Sequence, residues 1–231
     1  MDSLESTKKL SLAMKSRLCT NAESNAPSQC YTLLEKMIKN TESLISFCSF
    51  TLSVSKSSGQ VEFNKDFKLP VAAAECVLKA PSKVDEETKL ELCLGARSVA
   101  PGQCFSKAVA SQVPSAFRVR LCQGSLYPTA PVECYDVTTA DIVGDDKIKL
   151  CTLAASDAPA RCAQRIVSRY MRPEEKVMLC EGATDEWPAL CANAMPRQGV
   201  VSEMEVAQLC NRAVSLDPGQ CFLSAPPTFT A

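Results

Sequence analysis

The sequence predicts an all-α protein, an α-solenoid of seven short αα-hairpin repeats of about 29 residues with one cysteine in each helix. Three observations carry this. The fourteen cysteines fall in pairs, Cys19/Cys30, Cys48/Cys76, Cys93/Cys104, Cys122/Cys134, Cys151/Cys162, Cys180/Cys191 and Cys210/Cys221, whose leading members advance by 29 residues except for one step of 45 and a last step of 30. Each leading cysteine is preceded by aliphatic residues at helical spacing, as in Leu90-x-Leu92-Cys93 and Ile148-x-Leu150-Cys151. A proline stands three residues before most second cysteines, as Pro101, Pro131, Pro159 and Pro188 do, and proline suits the first turn of a helix because that turn leaves its N–H unused.

The first helix of each unit carries a stripe at −3, −1, 0 and +3 relative to the leading cysteine, with a small residue at the last of these: Ala96, Ser125, Ala154 and Ala183. Acidic residues gather at its start, at Asp85-Glu86-Glu87, Asp145-Asp146, Glu174-Glu175 and Glu203, where carboxylates complement the helix dipole; Pro173 fits a first helical position. Turn formers follow, as in Ala96-Arg97-Ser98-Val99-Ala100-Pro101, and a second helix then runs through segments such as 101–111 and 159–170. Helices of about ten residues are marginal alone, so each hairpin must bury its apolar face against its neighbours. The expected organisation is one elongated domain over 1–231, with units at 4–39, 40–80, 81–111, 112–140, 141–170, 171–199 and 200–225. An insertion at 55–69, carrying Phe63 and Phe67, swells the second unit, and Pro226-Pro227 opens a short tail at 226–231.

With the leading cysteine about one turn from the end of the first helix and its mate about one turn into the second, the two face each other within a hairpin, across 11 or 12 residues in all units but the second. A second pairing joins each trailing cysteine to the next leading one across 17 to 19 residues, but it strands Cys19 and Cys221, so the count favours a staple inside each hairpin using all fourteen. The opposing reading is a set of reduced, buried cysteines acting as small apolar residues. The strict pairing favours disulfides and hence an oxidising compartment, secreted or in a secretory lumen; with reduced cysteines the protein is cytoplasmic. The opening Met1-Asp2-Ser3-Leu4 has no basic and apolar leader, which leaves either an intracellular chain or a mature segment with an added methionine.

There is no histidine, no Cys-x-x-Cys and no Gly-rich phosphate loop, so no metal, cofactor or catalytic residue is expected, and the chain reads as non-enzymatic. A formal net charge of −1 argues against a nucleic-acid partner, and the apolar runs are too short for membrane insertion. In kind the array is similar to Sel1-like or HEAT arrays, with a shorter period and no shared motif. The expected function is a protein–protein interaction scaffold or structural spacer, with Phe63, Phe67 and Trp187 as candidate partner contacts. The alternative is a small-molecule or lipid carrier with a pocket near the insertion. The sequence specifies neither the partner nor the oligomeric state.

Overall fold

The structure is a computed structural model that describes residues 10–19, 25–49, 69–167, 171–195 and 201–224. Phe63 and Phe67, most of the insertion around them, and the tail at 226–231 lie outside the described residues. Fourteen helices follow one another with no strand among the described residues. They are α1 (Leu12–Cys19), α2 (Ala26–Leu34), α3 (Thr41–Ser49), α4 (Leu69–Lys79), α5 (Glu86–Cys93), α6 (Ala100–Ala110) and α7 (Ser115–Cys122), then α8 (Ala130–Val137), α9 (Gly144–Cys151), α10 (Ala158–Arg165), α11 (Pro173–Cys180), α12 (Trp187–Ala194), α13 (Glu203–Cys210) and α14 (Asp217–Ser224). The all-helical class and the alternation of two helix types are as expected, with most helices eight residues long rather than ten.

Most odd-numbered helices stop at the leading cysteine and not a turn beyond it. Cys93, Cys122, Cys151, Cys180 and Cys210 each end a helix and open a tight turn. The next residue is extended, with Leu94 at φ −60 and ψ 121 and Thr152 at −60 and 133. The residue after that lies in the left-handed region, at Gly95, Gly124, Leu153, Gly182 and Arg212 with φ between 57 and 72. The small residue at +3 then donates its N–H to the cysteine carbonyl, as Ala96 does to Cys93 at 3.0 Å and Ala154 to Cys151 at 3.1 Å. This is a type II turn, and it ends the helix because a left-handed residue cannot continue it. The small residue therefore belongs to the turn and not to the helical stripe, and it is small because the turn tucks it into the core: Ala96 is 1% exposed.

The turn also prepares the next helix. Ser98, Ser156, Asp185 and Ser215 accept a hydrogen bond from the first N–H of α6, α10, α12 and α14, at 2.9 to 3.2 Å. All seven even-numbered helices carry proline as their second residue. Acidic residues fill the first turns of α5, α9, α11 and α13 as expected, and Asp85 caps α5 by accepting from the Thr88 N–H at 2.8 Å.

The described residues fall into two compact units, one within Met1–Ser106 and Cys122–Pro128, the other within Lys107–Leu121 and Thr129–Ala231. In the second unit, α9 packs on α11 and α11 on α13, while α8 packs on α10, α10 on α12 and α12 on α14. Helices of like type thus form two layers, and α10 and α12 each also contact the odd helices on either side, while α8 contacts α9 and α14 contacts α13. The first unit repeats this where α1 packs on α3, and α2 on both α3 and α4. Buried cysteine, leucine and alanine fill the seams between the layers.

Six disulfides cross these seams, and their pairing corrects the expectation of a staple within each hairpin. The bonds are Cys30–Cys48, Cys76–Cys93, Cys104–Cys122, Cys134–Cys151, Cys162–Cys180 and Cys191–Cys210, with Cα separations of 5.5 to 5.7 Å. Each joins an even helix to the odd helix of the next repeat, and Cys19 and Cys221 are free and exposed. Height along the helices does not separate the two pairings, because the leading cysteines on both sides of an even helix lie at the same end of it. The side of the even helix on which the cysteine sits decides, and that side faces the following repeat.

Candidate functional site

A ladder of polar contacts ties successive odd helices together. The residue after a leading cysteine reaches back to the residue two before the preceding one: Gln123 donates to the Glu91 carbonyl at 3.1 Å and Asn211 to the Met178 carbonyl at 2.5 Å, while the Thr152 hydroxyl lies 3.3 Å from the Arg120 carbonyl and shares its one proton with the nearer Ile148 carbonyl at 2.8 Å. Glu181 makes an ion pair with Lys149 at the corresponding place, 3.7 Å apart. A second contact pairs a basic residue two before one leading cysteine with an acid six before the next, Arg17 with Glu42 at 2.6 Å and Arg120 with Asp145 at 2.5 Å. These exposed rungs each contribute little to stability, but they close the surface between neighbouring helices.

The rung between α3 and α5 is missing. Leu94 stands where Gln123, Thr152, Glu181 and Asn211 stand in later repeats, and Ser46 stands where Arg17 and Arg120 carry their guanidinium groups. A groove of about 620 Å³ opens there instead, with Phe47, Leu90 and Leu94 among its apolar lining and Ser46, Glu87 and Glu91 among its polar lining. That volume lies within the range of ligand-binding clefts. Phe47 is 7% exposed and forms the floor, whereas Leu94 is 38% exposed at the lip.

The acidic side of the groove comes from the first two turns of α5, where carboxylates favour the helix start. Glu86 accepts a hydrogen bond from the Lys39 N–H at 2.8 Å. No basic side chain among the described residues makes an ion pair with Glu87 or Glu91. Glu87 occupies the ladder position of Glu42 and Asp145, and Ser46 stands where those two acids find Arg17 and Arg120.

Of the sequence-derived contacts, Trp187 begins α12, with its N–H bonded to the Asp185 carboxylate at 2.9 Å and its side chain partly exposed. It lies in the other compact unit from the groove. Of the aromatics that follow the second cysteine, Tyr31 and Phe105 are buried while Phe222 is exposed. Neither Leu94 nor Ser46 was expected from composition or pairing. Their signal is a break in a pattern: a polar residue after the leading cysteine in four later repeats, and leucine in the third.

Among the described residues no helix is long and apolar enough to cross a membrane. Comparisons of the chain with protein-family models, with curated proteins and with solved structures found no match in any of the three.

Proposed function

We propose that this chain is a non-enzymatic, disulfide-linked helical-repeat protein that binds a segment of another protein in the groove between α3 and α5, and that it works in a secreted or secretory-lumen setting. The observation that carries the reading is the missing rung: Leu94 stands where a polar residue stands in the later repeats, and Ser46 stands where Arg17 and Arg120 pair with an acid. Six disulfides between repeats suit an oxidising compartment, where such bonds form and persist. They hold short helices in fixed register, and a rigid surface loses less entropy when it binds. A lipid carrier fits less well, because carboxylates and serines line the groove beside its leucines.

The test is selection of binders from a displayed library of random dodecapeptides against the full oxidised chain. Selected peptides are expected to bind the wild type and to lose affinity for Leu94→Asp. Binders indifferent to Leu94→Asp, or a groove that takes up an apolar dye which no peptide displaces, would count against this reading.

A further inference from the structure

The groove's chemistry narrows its occupant. Resting on the proposal that the groove receives a protein segment, we infer that this segment presents a lysine or arginine to Glu87, supplying from outside the cation that Arg17 supplies to Glu42 and Arg120 supplies to Asp145 within the chain. Ser46 removes that cation from the preceding helix, and its short side chain leaves the space a guanidinium would fill. Glu91 stands one turn further along α5 on the same groove, so a second positive charge is accommodated there. Phe47, Leu90 and Leu94 supply the apolar surface that a neutral side chain between those charges would cover. The partner segment is basic and apolar, not acidic, because a carboxylate would face Glu87 and Glu91 with no cation between them.

Three fluorescein-labelled dodecapeptides test this by polarisation against the full oxidised chain: one of leucine and lysine, one of leucine and glutamine, and one of leucine and glutamate. The leucine–lysine peptide is expected to bind tightest and the leucine–glutamate peptide not to bind. Replacing both Glu87→Gln and Glu91→Gln should weaken the leucine–lysine complex roughly threefold or more, with a smaller salt dependence. Ser46→Arg restores the internal cation and should abolish binding while leaving the melting temperature unchanged or higher. Glu133→Gln, an exposed charge on α8, serves as the control for bulk charge and should change nothing.

If leucine–glutamine binds as tightly as leucine–lysine, loses affinity for Leu94→Asp, and ignores the two glutamate replacements, the cationic occupant is overturned while the groove stands. If no peptide responds to Leu94→Asp, the groove itself is overturned. A wild type that binds no peptide but self-associates until Ser46→Arg is introduced would place a second copy there and overturn the inference.

Discussion

Cys162 in α10 is bonded to Cys180 in α11, while its nearest cysteine in sequence, Cys151 at the end of α9, is bonded to Cys134 of the preceding repeat. Every hairpin between the ends is therefore tied to both neighbours and not to itself. The covalent bonds reinforce the seams between repeats, which in stacked arrays are the terms that make the whole cooperative. On the chain-entropy model, closing a loop of this length stabilises by about 3 kcal/mol per bond.

Intact mass distinguishes the pairings. Oxidised protein should weigh twelve mass units less than the reduced chain, from six disulfides, and should take up two alkyl groups at Cys19 and Cys221. A peptide linking Cys151 to Cys162 after digestion would contradict the seam pairing.

Leu153 occupies the left-handed turn position that Gly95, Gly124 and Gly182 hold in other repeats, with φ 61, and its side chain is largely exposed. A side chain in that region costs about 1 kcal/mol or more. Leu153→Gly should stabilise the protein by roughly 1 kcal/mol in chemical denaturation; an equal or lower midpoint would show that Leu153 contributes contacts worth more than the strain.

Gly102 in α6 has no room for a side chain, since a Cβ there would come within 2.3 Å of the Cys76 carbonyl oxygen in α4. Alanine is the better helix former by about 1 kcal/mol. Gly102→Ala should nonetheless destabilise, by about 1 to 3 kcal/mol, because the two helices must separate. A melting temperature at or above that of the wild type would rule out this close approach.

The Tyr31 hydroxyl is buried without a hydrogen-bond partner among the described residues, and burial, aided by the Glu35 carboxylate, raises its pKa. Removing an unsatisfied buried hydroxyl is neutral or favourable, so Tyr31→Phe should leave stability unchanged or raise it by up to about 1 kcal/mol. A clear loss in the denaturation midpoint would show that the hydroxyl is bonded.

Burial works to raise the pKa of Glu175, which is 5% exposed, but hydrogen bonds from the Arg172 side chain and backbone outweigh it and hold the carboxyl below its usual range. A depressed folded pKa means a contribution that is complete above the unfolded value, about 4.3, and lost as pH falls through the folded one. Glu175→Gln should therefore melt earlier than the wild type near neutral pH, with the gap closing below about pH 4. A gap independent of pH would assign the effect to shape and not to charge.

Much of this architecture is written locally. Leu92, Cys93, Gly95, Ala96, Ser98 and Pro101 specify a helix end, a turn and a helix start through contacts that span a few residues, so they are legible from spacing and residue type alone. The apolar stripe by itself predicts a first helix one turn longer, and the left-handed residue after Leu94 is what stops it at the cysteine. The groove was harder to see, since Ser46 and Leu94 are unremarkable apart from the ladder positions they occupy.

Spacing and residue type suffice for the number of repeats, the two kinds of helix and the presence of a cysteine in each, because those features depend on hydrogen bonds and burial within a hairpin. Tertiary structure decided which cysteines meet and where a seam stays open. Both depend on the side each helix turns toward its neighbour, and that rotation is set by packing between repeats, which no single repeat encodes.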